Sequence, residues 1–297
     1  MTNQQDKLKK EIKKLSQSLR ILESTGNNHR LLELSRSYKS DRIRIHKEIV
    51  HKNADLFAVI QSIRKLSILG VQNVDLLVTD NEVDFKNFIK RYNAINSLMI
   101  KYIEVFDEII CLIENGFPDG AMQRWRTFLE YSIIIIFILE QGEEVADAYS
   151  NNFLESLKDE LRPRTNYAWA KTANCLKGEK QISITKLLDM IKGIPLGTKN
   201  RYKVMYKFAS QSIHGSSVGI NLSFNDYISF EINDLNSKNS NYYAGGISTV
   251  ITHSMELLMH TFIVYFSTFP DTGMNIKDLW KDLFDEYVKV YKLHFER

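Results

Sequence analysis

Residues 116–139 read GFPDGAMQRWRTFLEYSIIIIFIL. The stretch opens in a turn. Asn115-Gly116 is followed by Pro118 and then by Asp119-Gly120, all residue types that favour a tight chain reversal. It closes in seven consecutive apolar residues, 133–139. A helix carrying such a run has no solvated face and must be packed on all sides. The run is well short of the roughly 18–20 apolar residues of a membrane span, so it reads as a buried core helix. Asp119 is placed to cap it. Between turn and run sit Arg126 and Glu130, four apart and so on one helix face. An exposed pair of this kind is worth only about 0.2–0.5 kcal/mol. At the mouth of a buried helix the pair needs further polar partners, either as a structural network or as part of a site.

The pattern extends outward from the turn. Residues 84–114 carry a wide apolar helical face that includes Phe88, Tyr92, Ile95, Tyr102, Phe106 and Ile113. Two long helices joined by so short a turn should lie antiparallel. Gln141-Gly142 stops the central helix, and Arg162-Pro163 breaks the chain again. Further helices are expected over 143–161, 167–176, 183–191, 200–214, 243–269 and 276–295. Residues 217–234 alternate instead: Ile220, Leu222, Phe224 and then Ile228, Phe230, Ile232 flank Asn225-Asp226, which predicts a small β-hairpin. Upstream, a helix is expected over 29–69 and a connection over 70–81. Leu8, Ile12, Leu15, Leu19 and Leu22 are spaced 4, 3, 4, 3, a short leucine seam of coiled-coil type. The expected fold is all-α, a helical bundle with long antiparallel helices plus the small hairpin. It divides into a basic helical N-terminal arm, 1–80, and a bundle domain, 81–297.

Composition agrees with that class. Apolar residues make up 44% and charged residues 25% of the 297 residues, and only four are proline. Cys111 and Cys175 lie in helix-like apolar contexts and read as buried, reduced thiols, which implies the cytoplasm and excludes a Cys-rich zinc site. The charged N-terminus has no apolar signal-peptide core. The net charge of +3 hides an asymmetry. Residues 1–65 hold 15 Lys/Arg against 7 Asp/Glu, and residues 66–297 hold 24 against 29. A basic arm centred on Arg42, Arg44 and Lys47 suits RNA or another polyanion, and otherwise is a solvated helix face. The leucine seam suits a homo-oligomer.

A second cluster sits in YKFASQSIHGSS, residues 206–217. Tyr206, Ser210 and His214 step by four along one helix face, and Gly215 ends the helix. The helix dipole there stabilises a protonated imidazole. His214 beside hydroxyls suits acid–base work, against the plainer role of a helix-end hydrogen bond. No Gly-rich phosphate loop, HExxH or GxSxG is present. His253, Glu256 and His260 share a face of a late helix, but the paired Glu-x-x-His of di-iron bundles does not recur, so no metal and no cofactor are expected.

The middle of the chain resembles a family of uncharacterised bacterial helical proteins. The matching elements are the GFPDGA turn, Trp125-Arg126 to Glu130, the segment 142–149, Tyr167-Ala168-Trp169-Ala170, and Ala209-Ser210 with His214-Gly215-Ser216. The layout is similar to the HEPN superfamily of helical bundles, many of which are RNases in toxin–antitoxin and anti-phage systems. Catalytic HEPN proteins carry Arg-x4–6-His. Here Arg44 and His51 give such a match, outside the resembling region and with Ile45 after the arginine. The resemblance implies a HEPN-like effector of a defence or toxin system with a partner protein, acting as a metal-independent RNase. Arg126, Glu130, Tyr206, Ser210 and His214 would form its site. The alternative is a non-enzymatic helical module that senses a nucleic acid, nucleotide or partner protein.

Overall fold

Asn115 and Gly116 reverse the chain as their types require. Gly116 takes a positive φ of 79°, the conformation glycine adopts without strain. The Gly116 N–H donates to the Ile113 carbonyl at 3.0 Å and the Phe117 N–H to Leu112 at 2.8 Å, which closes the end of one helix. Pro118 then opens the next at its first turn, where a missing N–H costs nothing. The expected Asp119 cap is replaced: Phe117 holds the cap position, and Asp119 lies inside the first turn, where its charge favours the helix N-terminus.

The structure, a computed structural model, describes residues 29–79, 87–158, 167–213, 240–269 and 276–295. Among these are nine α-helices, two short 3₁₀ segments and no strand. The helices are α1 (His29–Lys52), α2 (Ala54–Thr79), α3 (Ile89–Glu114), α4 (Pro118–Gln141), α5 (Glu143–Lys158), α6 (Ile184–Met190), α7 (Leu196–Ile213), α8 (Ser240–Thr268) and α9 (Ile276–Phe295). The 3₁₀ segments are Ala168–Thr172 and Asn174–Leu176, where one helix was expected. The all-α class holds. The expected hairpin at 217–234, the leucine seam and His214 lie outside the described residues.

The chain forms two compact units, Met1–Lys52 and Asn53–Arg297. The single helix expected over 29–69 is two, because Asn53 starts a new one, its carbonyl accepting the Phe57 N–H at 3.0 Å. The connection expected at 70–81 is instead helix to Thr79. Val71 and Val74 continue the buried stripe of Ile60, Ile63 and Ser67, and burial overrides the breaking tendency of Gly70. α9 packs on this stripe, and its Trp280 Nε1 donates to Ser67 Oγ at 3.0 Å.

Helix α4 is the centre of the second unit, with α3, α5, α6, α7 and α8 packed around it. Ile135, Ile136, Phe137 and Ile138 are fully buried, as the apolar run requires. Phe128 of α4 stacks on Tyr102 of α3, centroids 4.1 Å apart and planes 4° from parallel. The hydroxyls of Tyr102, Ser132 and Thr261 satisfy one another where α3, α4 and α8 meet. No described helix is long and apolar enough to cross a membrane. Cys111 and Cys175 are free, but both are exposed, not buried as expected. The two thiols sit at the solvated edge of their segments.

Carboxylates outside the core tie helix ends together. Glu143 Oε2 accepts the Lys90 N–H at 2.8 Å, and Glu143 Oε1 accepts Arg91 Nε at 2.6 Å. Glu143 therefore caps α3 from the start of α5, a role that the side chain of Phe88 at the cap position does not fill. Glu143→Ala is expected to cost about 1–2 kcal/mol, and Glu143→Gln less, because an acceptor remains. Thermal melting of both variants checks this order. Glu140 does the same for the loop before α7, accepting the N–H groups of Lys192 and Gly193 at 2.7 Å each.

Buried tyrosines give the fold an alkaline limit. Burial, then the hydrogen bond and charge of Asp75, push the Tyr92 pKa up to about 12. Burial also raises Tyr102 and Tyr265. A tyrosine whose pKa is higher folded than unfolded contributes its stability fully below the unfolded value of about 10. That contribution is lost as pH rises through the folded value. Stability is expected to hold to about pH 9.5 and fall steeply between about pH 10 and 12. Tyrosinate absorbance should appear together with the loss of helical circular dichroism. A tyrosinate titration complete before any helix is lost would contradict this.

Candidate functional site

Helices α4 and α7 are brought into register by a buried aromatic contact. Trp125 of α4 meets Tyr202 of α7 edge-on, centroids 6.3 Å apart, and neither ring is exposed. One residue along α4 is Arg126, and one turn along α7 is Tyr206. The register therefore sets these two side chains opposite each other at the edge of the core.

Arg126, Glu130 and Tyr206 close a triangle. Arg126 Nη2 donates to the Tyr206 hydroxyl at 3.0 Å. The Tyr206 hydroxyl donates to Glu130 Oε1 at 2.6 Å. Arg126 Nε lies 3.4 Å from the same Glu130 oxygen, and the guanidinium carbon stands 4.8 Å from the Tyr206 ring centroid. The Arg126 and Glu130 side chains are 30% and 28% exposed, so the triangle has a solvent-facing edge. The pair is thus neither a surface salt bridge nor a sealed one.

Tyr167 adds a fourth group. It stands at the start of the first 3₁₀ segment, which Trp169 anchors edge-on against Phe137 of α4 and Tyr149 of α5. Tyr167 feels the charges of Glu130 and Arg126, and burial raises its pKa, with Glu130 and Tyr206 adding to the shift. Tyr206 is likewise raised by burial and by its bond to Glu130. Burial pulls the Arg126 guanidinium down, but Tyr206 and Glu130 outweigh this and its pKa stands above the ordinary value. At neutral pH the site therefore presents a permanent cation, the Glu130 carboxylate beside it and two protonated phenols. Tyr206 gives its one proton to Glu130, so the Arg126 guanidinium and the Tyr167 hydroxyl are the donors left for an oxyanion. Among the described residues no group of three His, Cys, Asp or Glu side chains is placed to hold a metal ion.

Of the expected site residues, Arg126, Glu130 and Tyr206 converge. Ser210 lies on the same helix but donates its hydroxyl to the Tyr206 carbonyl at 2.7 Å. His214 lies just beyond the last described residue of α7. Arg42, Arg44 and Lys47 belong to the other compact unit. There Ser40, Arg44, Lys47 and His51 share a face of α1 and line an open depression. Tyr167 was not among the expected site residues, although the Tyr-x-Trp-Ala element that holds it is visible in the sequence.

A protein-family model described as a family of unknown function (DUF5677) matches residues 92–232, just under half of the chain. The chain is similar to that family over α3 to α7, the span that carries Arg126, Glu130, Tyr167 and Tyr206. No curated protein and no solved structure matches the chain.

Proposed function

We propose that this chain is a HEPN-like effector that cleaves RNA without a metal, with Arg126 as the phosphate-binding group. The observation that carries the reading is the partly exposed Arg126 side chain, its guanidinium held by the Tyr206 hydroxyl and steadied by Glu130. RNA offers its own nucleophile. The 2′-hydroxyl attacks phosphorus, the new 2′-O–P bond forms and the P–O5′ bond breaks. One proton leaves the 2′-oxygen and one is given to the 5′-oxygen. The charge that builds on the non-bridging oxygens is what a positioned guanidinium stabilises. Glu130 and Tyr206 orient Arg126. His214, one turn past Ser210 in the sequence, serves as the acid/base. The role in a defence or toxin system, with a partner protein, comes from the resemblance to HEPN proteins.

A second reading has its own observation. The triangle is charge-balanced and closes on itself, as a network fixing the α4–α7 register would. In a non-enzymatic module Arg126→Ala would lower the melting temperature and have no cleavage to remove. Measuring RNA cleavage and melting on the same preparation separates the two.

The basic arm would contact RNA through Arg42, Arg44 and Lys47, and the leucine seam would pair copies of the chain. Removing residues 1–23 is then expected to lower the solution mass measured by light scattering. An unchanged mass would remove the seam from assembly.

A further inference from the structure

Charge in the second unit is segregated. Residues 167–213 hold nine Lys/Arg against two Asp/Glu, while the rest of residues 66–297 hold 15 against 27. An evenly solvated surface intersperses the two signs, and this one does not. Part of the positive charge is spent inside the fold. Lys186 binds Glu179 and Lys203 binds Asp189, which uses both carboxylates of the segment. Arg201 of α7 binds Glu256 of α8, and the buried Lys199 donates to the carbonyls of Asp189 and Ile191. Lys171, Lys177, Lys180, Lys192 and Lys207 remain. All five are exposed, and among the described residues no carboxylate pairs with any of them.

The fold lays these lysines out from the Arg126 triangle. Tyr167 feels the charge of Glu130, Trp169 packs on Phe137, and the Cys175 thiol donates to the Gln141 side chain at 3.4 Å. The segment from Tyr167 to Cys175 therefore follows α4 from the triangle to its C-terminal end, roughly 16 Å along the helix axis. Lys171 Nζ donates to the Lys180 carbonyl at 3.1 Å, which sets these two residues side by side. The Lys192 N–H is held by Glu140, which brings Lys192 to the same end of α4. Glu140 is occupied by that loop and Glu143 by Arg91. Glu144 alone does not balance the four exposed lysines there. Lys207 follows Tyr206 on α7, at the triangle itself.

A row of unpaired lysines suits a partner with a repeating negative charge. Lysine is a point charge on a flexible stem, and it holds a phosphate without reading a base. We infer that Lys171, Lys177, Lys180 and Lys192, with Lys207 at the edge of the site, form the track that holds an RNA strand on its way to Arg126. The identity of the polyanion as RNA rests on the ribonuclease reading. The track itself rests on the segregated charge and its placement.

The test is fluorescence anisotropy of the full-length protein with a labelled, single-stranded 2′-O-methyl RNA of about 12 nucleotides. The blocked 2′-oxygen of this probe cannot attack phosphorus. Each phosphate neutralised on a single strand adds about −0.7 to the slope of log affinity against log salt. Among the described residues the side chains of Lys177, Lys180 and Lys192 make no hydrogen bond. Changing all three to Gln therefore removes charge and leaves the bonds of the fold in place. The triple variant is expected to lose about 2 from the magnitude of the slope, roughly a 50-fold loss of affinity at about 0.15 M salt. Circular dichroism checks that its helix content is unchanged. If helix is lost, the single variants decide, each expected to lose about 0.7. An unchanged slope and affinity would overturn the assignment and leave the strand to the basic arm. So would binding of the parent protein to phosphatidylserine vesicles but not to the RNA. Because the probe is never cut, binding and cleavage fail separately. Binding that falls in the triple variant, with no cleavage of ordinary RNA by the parent, keeps the track and removes the ribonuclease. Cleavage that falls in Arg126→Ala, with binding unchanged in the triple variant, does the reverse.

Discussion

Arg126→Ala is expected to lower RNA cleavage by about 10²–10³-fold, the usual effect of removing one donor aimed at a charge that develops in the transition state. Its effect on stability should be small, about 1 kcal/mol or less, because the Arg126–Glu130 pair is partly solvated. Tyr206 keeps its own bond to Glu130 in the variant. Arg126→Lys retains the charge but loses the planar fork, and should recover only a small part of the rate. Tyr206→Phe removes the hydroxyl that holds the guanidinium and should lower the rate less than Arg126→Ala does. Single-turnover cleavage of a labelled RNA, with melting curves on the same samples, measures both quantities. A melting loss of many degrees without any cleavage by the parent protein would favour the structural network instead.

The largest stability effect is expected from Phe128→Ala. Phe128 has no exposed surface, stacks on Tyr102 and lies 5.8 Å from Phe106 by ring centroids. Truncation removes apolar contact and leaves a cavity at the α3–α4 seam, a cost of about 3–5 kcal/mol. For a unit of this size each kcal/mol moves the melting temperature by roughly 2–4 °C. A drop of about 6–20 °C follows. Phe128→Leu fills most of the volume and should cost less than half as much. Calorimetry checks both. A loss under about 1 kcal/mol would mean that α3 and α4 are not the core of the unit.

The sequence made the centre of the fold legible and misplaced its margins, for physical reasons. The turn at Asn115-Gly116 uses residue types that permit few alternatives, and seven apolar residues in a row admit only a surrounded helix. Both readings therefore carried over to the structure. The breaks around α2 did not. Gly70 looks like a stop, but Val71 and Val74 extend a buried stripe, and α9, the helix that packs on α2, lies some 200 residues away in sequence. Local propensity does not report such contacts. The Asp119 cap failed because Pro118 already fixes the first turn. The thiols failed because an apolar neighbourhood in sequence does not say which way a side chain faces.

The candidate site was partly legible. The four-residue spacing put Arg126 and Glu130 on one face, and the step from Tyr206 to Ser210 put those two on another. What joined the faces was the Trp125–Tyr202 contact, a long-range packing event with no periodic signature. Tyr167 was missed because an irregular 3₁₀ segment carries it, and neither helical nor strand periodicity marks such a position. The Arg201–Glu256 bridge was hidden for the same reason as the α2–α9 seam. His253, Glu256 and His260 were visible as a face, but their partner on α7 was not.

The most direct test is an end-group analysis of RNA incubated with the purified protein in excess chelator. Metal-independent attack by the 2′-hydroxyl predicts fragments ending in a 2′,3′-cyclic phosphate, produced by the parent protein and lost in Arg126→Ala at unchanged fold. Intact RNA under all conditions, or fragments ending in a 3′-hydroxyl that appear only when a divalent ion is restored, would contradict the account.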